Sequence, residues 1–255
     1  VGRLVAATYG LDPAPLRRIV SGADAAVLLI HGILGTPDHF APLLPCIPEN
    51  WSFEALLLAG HGGSVRDFSA ARMADWKQQV HQALARLRAA HRHVYLAAHS
   101  MGTLFALQEA AQSPVAGLFL LNVPLRLQLK PRLLQTVTRI YRGKISPGDA
   151  WTQAALAGYS IGPDPNPLHY LGWVPRYLSL FAEIRATRQV LPRVTSPGLA
   201  YLSQHDEMVS LASARCLAQC PHLETRTLPD SGHFYYTPQD LETLQQAFSA
   251  LLTAS

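Results

Sequence analysis

The chain has 255 residues and a formal net charge of +4 at pH 7; 49% of its residues are hydrophobic and 15% are charged. This balance suits a compact soluble protein with a sizeable core and argues against intrinsic disorder. Its apolar runs are well short of the roughly 20 residues that a membrane-spanning helix needs, and the first residues lack the charged-then-apolar layout of a secretory signal.

Six short apolar runs predict strands, and the earlier runs are nearly continuous, which is typical of strands covered on both faces of a parallel sheet. They lie at residues 25–32, 53–60, 93–100, 117–124, 197–206 and 223–233. Stretches with apolar residues three and four positions apart predict helices at 70–91, 101–112 and 241–252. Strands alternating with helices predict an α/β protein with a mostly parallel, doubly wound sheet flanked by helices.

The alternation breaks once, because residues 124–195 show no clear strand pattern. A connection this long is usually functional, and we name it the inserted segment. We predict that it forms a mostly helical cap over one end of the sheet, with residues 1–123 and 196–255 forming the core domain. It is also basic: residues 122–195 hold ten Lys/Arg against three Asp/Glu, a net charge of +7, whereas the rest of the chain has a net charge of −3.

A serine stands where a predicted strand becomes a predicted helix, in the stretch VYLAAHSMGTLF at residues 94–105. On such a sharp turn the Ser100 hydroxyl is raised off the end of the sheet beside a helix N-terminus, and Gly102 permits close backbone packing. This is the nucleophile-elbow pattern G-x-S-x-G with Ala98 at the first glycine. A methyl group is the smallest departure from glycine, so we expect the turn to accommodate it.

A nucleophilic serine needs a base, and the base needs a carboxylate that orients it. Asp206 and His233 each follow a later predicted strand, so the chain order is Ser, Asp, His. The competing acids are Glu207 and Asp230, and the competing bases are His61, His99 and His205. We favour Asp206 because Glu207 is expected to point elsewhere in the same loop, while Asp230 is only three residues before His233 and suits a turn.

Acyl transfer also needs donors for the developing oxyanion. The backbone N–H of Met101, directly after the nucleophile, is one candidate. The other is the N–H of Ile33, in the loop that follows the first predicted strand. Gly32 and Gly35 let this loop fold close to the substrate, and His31 is expected to brace the loop rather than to take part in catalysis.

The sequence resembles the α/β-hydrolase superfamily and, within it, the bacterial carboxylesterase and monoacylglycerol lipase group. The matching pieces are LLIHGILGTPDHF, LLLAGHGGSVRDFSAARMADW, AAHSMGTLF, SQHDEMV and SGHF. The Gly-His-Gly loop followed by a helix-opening Trp is the most telling of them. The likeness covers nearly all of the chain except the inserted segment, which resembles the family's cap in position only. Ala98 and Thr103 depart from the family pattern, which has glycines there.

The resemblance implies an α/β-hydrolase fold and a Ser100, Asp206 and His233 triad. It also implies an acyl-enzyme intermediate with water as acceptor, and no cofactor. A carboxylesterase or lipase acting on short or medium acyl esters or monoacylglycerols is the implied enzyme, with a small ester or lipid-like molecule as its partner. With a bacterial relative group and no signal pattern, we expect a cytoplasmic location.

Residues 130–142 of the inserted segment predict a basic amphipathic helix. Its apolar residues are Leu133, Leu134, Val137, Ile140 and Tyr141, with Arg132, Arg139 and Arg142 around them. Such a helix can cover an acyl pocket as a lid, can lie weakly on an anionic lipid surface, or can simply have a solvated charged side. We expect an apolar pocket beneath the cap, with Gly32, Leu34, Tyr159 and Trp173 as substrate-binding residues.

Other sites and activities are less well supported. Cys216 and Cys220 are four residues apart, but no His or Cys cluster completes a metal set, so these thiols and that of Cys46 are expected to be free. The basic segment carries no nucleic-acid-binding motif. Amide, thioester or carbon–carbon cleavage, lysophospholipid hydrolysis and acyl transfer remain alternatives, as does a non-catalytic binding module with this fold.

Overall fold

The computed structural model describes residues 14–141, 146, 148–162 and 164–253. Arg142 of the predicted basic helix, the side chains of Ile140 and Tyr141, and the outermost residues of the predicted core domain lie outside the described residues.

Within the described residues, seven strands form one sheet. They are β1 (Leu16–Arg18), β2 (Ala25–Ile30), β3 (Ser52–Leu56), β4 (His93–His99), β5 (Gly117–Leu121), β6 (Gly198–Ser203) and β7 (Leu223–Leu228). The sheet order is β1-β3-β2-β4-β5-β6-β7. β1 runs antiparallel to β3, and all other pairings are parallel. The predicted mostly parallel sheet is confirmed, and the short edge strand β1 is an addition, because three residues cannot show a hydrophobic period.

Helices flank the sheet. They are α1 (Val65–Ala70), α2 (Met73–Ala90), α3 (Met101–Gln112), α4 (Pro131–Tyr141), α5 (Ala150–Gly158), α6 (Val174–Val190), α7 (Ser213–Leu217) and α8 (Pro238–Thr253). The helix predicted over residues 70–91 begins only at Met73, because Ala71 and Arg72 have extended backbones. The Asp75 carboxylate accepts a hydrogen bond from the Arg72 N–H at 3.0 Å and so caps the start of α2.

The core lies on both faces of the sheet, which explains why the strand sequences are nearly continuous in apolar residues. On β4, Val94, Leu96 and Ala98 pack in the cluster that contains the buried faces of α2 and α3. The alternate residues Tyr95 and Ala97 pack in the opposite cluster, with α8. The central strands are therefore buried on both sides, as the sequence pattern predicted.

The inserted segment, between β5 and β6, contains α4, α5, a 3-10 helix at Pro167–Trp173 and α6. Several polar contacts attach its second half to the core. The Glu183 carboxylate accepts from Nζ of Lys77 at 3.0 Å and from Nε2 of Gln108 at 2.8 Å. These contacts hold α6 against α2 and α3.

The start of the inserted segment pairs with the loop after β6. The Gln128 N–H donates to the Met208 carbonyl at 2.8 Å, and the Lys130 N–H donates to the Glu207 carbonyl at 3.0 Å. Leu127 and Val209 form an antiparallel bridge between them. The loop that carries Asp206 is thus braced by the backbone of the inserted segment.

The turn from β4 to α3 packs tightly on β2. A Cβ on Gly102 would overlap the Ile30 carbonyl oxygen and lie 2.7 Å from the His31 carbonyl oxygen. Ala98 is fully buried and pairs in register with Ile30 and Leu120, so its methyl group is accommodated in the core. Glycine is therefore required at position 102 but not at position 98.

We expect Gly102→Ala to destabilise the protein by at least about 3 kcal/mol, the upper end for overpacked cores, because α3 must move away from β2. Ala98→Gly is the matched control and should cost only about 1–2 kcal/mol, through the lost methyl group and the added backbone freedom. Urea unfolding of both variants measures this difference. If the two variants lose the same free energy of unfolding, close packing of α3 on β2 is not what requires glycine at position 102.

Candidate active site

The backbone of Ser100 is in the left-handed region, with φ of 51° and ψ of −124°. Such a conformation costs a non-glycine residue about 1–3 kcal/mol and persists only where its surroundings impose it. The Ser100 N–H donates to the Leu121 carbonyl at 2.9 Å. The Ser100 carbonyl accepts from both the N–H and the hydroxyl of Thr103, at 2.9 and 2.6 Å. Thr103, a departure from the family glycine, therefore helps to hold the turn.

The three predicted catalytic side chains form a continuous hydrogen-bonded chain. Nε2 of His233 lies 3.1 Å from Oγ of Ser100, and Nδ1 of His233 lies 2.7 Å from Oδ2 of Asp206. The other carboxylate oxygen of Asp206 accepts from the N–H groups of Met208 and Val209, both at 2.7 Å. All three side chains are buried. The carboxylate is therefore fixed in a position to orient the imidazole, and the imidazole is within reach of the serine proton.

The competing candidates have other contacts. The Glu207 carboxylate accepts the backbone N–H of His233 at 3.1 Å, whereas the ring nitrogen of His233 bonds Asp206. Asp230 is exposed, and its backbone N–H donates to Asp240. The His61 ring packs against Phe68 and Trp76, and its described contacts do not include Ser100. Asp206 is thus the carboxylate hydrogen-bonded to the His233 ring in the described part of the chain.

The backbone carbonyl of His233 is held by Asn122, which sequence reasoning missed, and by His99, which it considered only as a competing base. Nδ2 of Asn122 donates to this carbonyl at 3.3 Å, and Nε2 of His99 lies 3.0 Å from it. Asn122 also has a positive φ of 52°, and its Oδ1 accepts the Ser203 N–H at 2.9 Å. Asn122 therefore links the ends of β5 and β6 to the loop of the base. An asparagine directly after a buried strand was the available signal, because asparagine tolerates left-handed backbone.

The loop after β2 is braced by His31. Nε2 of His31 accepts the Leu58 N–H at 3.0 Å, so the ring proton is on Nδ1, which donates to the Gly32 carbonyl at 2.8 Å. Leu34, in the same loop, has a positive φ of 60°. This arrangement fits the structural role expected for His31 and fixes the course of the loop beside Ser100.

The two amides predicted to hold an oxyanion come from this loop and from α3. Met101 is the first residue of α3, where an N–H has no intrahelical acceptor and the helix dipole favours negative charge. Ile33 lines the same cavity as Ser100. A Cβ on Gly32 would lie 2.8 Å from the Ser100 Cβ, so glycine is what allows the loop to approach the serine.

A cavity of about 490 Å³ adjoins Ser100 and His233. Its size is within the usual range for ligand pockets. Of the residues predicted to bind substrate, Leu34, Tyr159 and Trp173 line it, whereas Gly32 is not among the lining residues and backs onto Ser100 instead. Most of the wall is aliphatic or aromatic, and most of its residues belong to the inserted segment.

Over the described ranges, no group of three or more His, Cys, Asp or Glu side chains could hold a metal ion. Cys46, Cys216 and Cys220 are free thiols, and burial raises the pKa of Cys220 to about 11. None of the helices in the described part of the chain is long and apolar enough to cross a membrane.

The fold and the serine–histidine–aspartate geometry together define a class, the α/β hydrolases. Residues 27–245 match the model of the alpha/beta hydrolase family, and the chain belongs to this family.

Individual relatives are distant. The chain is 24% identical over 221 residues to a thermostable monoacylglycerol lipase of Bacillus sp. (strain H-257), covering 79% of this chain and 81% of the relative. A structure from work on LipS and LipT, two metagenome-derived lipolytic enzymes, has a TM-score of 0.73 at 20% identity, covering 96% of this chain and 99% of that one. A haloalkane dehalogenase loop variant from Bradyrhizobium elkanii has a TM-score of 0.60 at 16% identity, covering 94% and 98%. The fold is thus shared by enzymes of different chemistry.

A cluster of buried histidines surrounds the site. His39 lies against His99, with ring centroids 3.9 Å apart, and His31 lies against His61, with centroids 4.8 Å apart. Burial lowers the pKa of His31 to about 4 and that of His39 to about 3, and it lowers the pKa values of His61 and His99 well below their usual range. These four rings are therefore neutral around the catalytic residues at neutral pH.

We expect the free energy of unfolding to decrease as the pH falls from 7.5 to 5.0. The folded-state pKa values of these histidines lie below the unfolded value of about 6.5, so their contribution is fully present above that pH and is lost as the pH falls toward the folded pKa. For a histidine with a folded pKa of about 3–4, the contribution to the free energy of unfolding is about 2 kcal/mol smaller at pH 5.0 than at pH 7.5. Urea unfolding at both pH values measures the loss.

His39→Phe is the matched variant. The Nε2 of His39 is buried without a hydrogen-bond partner in the described ranges, and its ring packs among Phe40, Phe234 and Tyr236, so an aromatic ring without a titrating group suits the site. Between pH 7.5 and 5.0, the free energy of unfolding of the variant should decrease by about 2 kcal/mol less than that of the wild type. The same loss in both proteins would contradict the assignment of the pH dependence to His39.

Proposed function

We propose that the chain is a serine hydrolase that cleaves carboxylic esters through an acyl-enzyme intermediate. The observation that carries the proposal is the hydrogen-bonded chain Ser100–His233–Asp206 beside an apolar cavity. In this constellation the imidazole can act as the base for the serine, and the buried carboxylate stabilises the imidazolium that forms.

The proposed reaction has two halves. His233 takes the Ser100 proton as Oγ attacks the ester carbonyl, while the N–H groups of Met101 and Ile33 bind the oxyanion. The tetrahedral intermediate then expels the alcohol, which receives the proton from His233. A water molecule, activated by the same histidine, attacks the acyl-enzyme, and collapse of the second intermediate releases the acid and restores the Ser100 hydroxyl.

Two observations support an ester with an apolar acyl chain over the other reactions of this fold. The cavity wall from α4 is apolar, with Leu133, Leu134 and Val137 among its residues. The similarity to a monoacylglycerol lipase and to lipolytic enzymes points the same way. We therefore propose short or medium acyl esters or monoacylglycerols as substrates and the inserted segment as the cap that encloses the acyl chain. Amide, thioester or carbon–carbon cleavage has no comparable support.

Ser100→Ala should abolish ester hydrolysis, lowering kcat by at least about 10⁴-fold, with little change in stability. A fluorophosphonate probe should label the wild type and fail to label the variant. Ser203→Ala is the control, because Ser203 is also a buried serine and its hydroxyl has no hydrogen-bond partner among the described residues. Hydrolysis retained by Ser100→Ala would overturn the proposal, and an unlabelled, inactive wild type would favour a binding module.

We further propose that the entrance of the cavity contacts lipid surfaces. The large apolar residues that are exposed in the described part of the chain fall almost entirely in the inserted segment: Leu127, Leu129, Leu134, Val137, Leu168, Leu171, Val174, Leu178 and Phe181, with Ile19 elsewhere. Several of these also line the cavity, so apolar side chains surround its opening. Exposed Arg132, Arg139 and Arg185 lie on the same helices, and the net charge of +7 over residues 122–195 suits an anionic surface.

The wild type should sediment with phosphatidylglycerol vesicles at low salt, and less so at high salt, because the attraction is partly electrostatic. Leu134→Glu should weaken vesicle binding by about ten-fold or more, since it removes apolar contact and adds a repelling charge. Ile19→Glu is the matched control, outside the inserted segment, and should bind as the wild type does. Equal effects of both variants would contradict a lipid-contacting role for the cavity entrance.

A further inference from the structure

The polar side chains of the cavity wall are few, and most have protein partners. Nε1 of Trp173 donates to the Val65 carbonyl at 3.2 Å, and the Tyr170 hydroxyl accepts the Asp164 N–H at 2.7 Å. These two side chains are therefore held toward neighbouring loops by the hydrogen bonds that they make.

Gln128 is occupied in the same way. Its Nε2 donates to the carbonyls of Asp206 and Val209, at 3.0 and 2.9 Å. Ser100 and His233 are bonded to each other. Each of these side chains thus already makes a hydrogen bond within the protein, and the Tyr170 O–H, whose oxygen only accepts, keeps a donor that has no acceptor among the described residues.

Tyr177, on α6, is the exception. It lines the cavity, and in the part of the chain that the structure describes its hydroxyl has no hydrogen-bond partner. Burial raises the pKa of Tyr177 to about 12, so the phenol stays protonated and can donate a hydrogen bond at any physiological pH. Tyr177 is half-buried at the cavity wall, so a ligand oxygen that replaces water beside the phenol can accept its hydrogen bond.

The cavity wall is chemically asymmetric. The residues contributed by α4 are aliphatic, whereas Tyr170, Trp173 and Tyr177, in the 3-10 helix and α6, form an aromatic group that carries hydroxyls. The rings of Tyr170 and Trp173 are in contact, with centroids 5.0 Å apart, and those of Trp173 and Tyr177 are 6.5 Å apart. An ester of a fatty acid has the same asymmetry, with an apolar acyl chain on one side of the carbonyl and the alcohol on the other.

We propose that Tyr177 forms a hydrogen-bonding subsite for a hydroxyl group on the alcohol part of the substrate, so that esters of polyols such as glycerol are preferred over esters of simple alkyl alcohols. This inference rests on the proposed ester hydrolysis at Ser100. The acyl chain then lies against the aliphatic wall from α4, and the polyol lies against the tyrosines.

The test compares two substrates with the same acid and the same number of alcohol carbons, 1-monolauroylglycerol and propyl laurate. Wild type should prefer the glycerol ester. Tyr177→Phe removes only the hydroxyl and should lower kcat/KM for the glycerol ester by about three- to ten-fold, mainly by raising KM, because one neutral hydrogen bond is lost. Its kcat/KM for propyl laurate should stay the same.

Tyr170→Phe is the matched control, because its hydroxyl is already bonded to the Asp164 N–H. It should change the two kcat/KM values to the same extent. Equal changes for both esters in Tyr177→Phe, or a selective loss in Tyr170→Phe instead, would overturn the assignment to Tyr177. A wild type that hydrolyses neither ester contradicts the proposed function itself, which keeps the two failures distinct.

Discussion

The close contact between the β4–α3 turn and the carbonyl end of β2 is the constraint on which the site depends. Gly102 allows α3 to approach the Ile30 and His31 carbonyls, and this approach, with the hydrogen bonds to Leu121 and Thr103, holds Ser100 in its left-handed conformation. The same turn sets the first amide of α3 next to the serine. A single packing contact therefore positions both the nucleophile and one of the donors proposed for the oxyanion.

The base and its acid are held mainly through their backbones. Asn122 and His99 bond the His233 carbonyl, Glu207 accepts the His233 N–H, and the amides of residues 208 and 209 fix the Asp206 carboxylate. The inserted segment contributes to this support, because its first residues pair with the loop that follows Asp206. Its position next to the site is thus coupled to the geometry of the acid, in addition to the cavity that it encloses.

The cavity combines an aliphatic side, an aromatic side and a rim of exposed apolar residues. The aliphatic side and the rim come largely from α4 and α6, whose apolar residues are only partly covered by the protein. The proposed binding of an apolar acyl chain and the proposed contact of the entrance with a lipid surface both depend on the removal of this apolar area from water. The proposed hydrogen bond from Tyr177 adds a directional contact that would favour polyol esters over alkyl esters.

Much of the fold could be predicted because hydrophobic periodicity is local. Six of the seven strands and the helices over 101–112 and 241–252 follow from it, as does the chain order of Ser100, Asp206 and His233. β1 was missed because three residues carry no period, and the break at Ala71 was missed because α1 and α2 both have apolar faces. The position of Asn122 after a buried strand was a signal for its unusual backbone, but its hydrogen-bond partners were not predictable, since distant parts of the chain contribute them.

Local patterns in the sequence were enough to identify the buried strands, the position of the serine turn and the residue types that could perform nucleophilic catalysis. Three features depended on tertiary contacts: Ala98 fits the core while position 102 must be glycine, Glu207 accepts the His233 backbone N–H while Asp206 bonds its ring, and Tyr177 lines the cavity with a hydroxyl that has no hydrogen-bond partner among the described residues. The difference is one of range. Periodicity depends on neighbours a few positions away, whereas packing clearance and hydrogen-bond partners depend on segments that meet only when the sheet has formed.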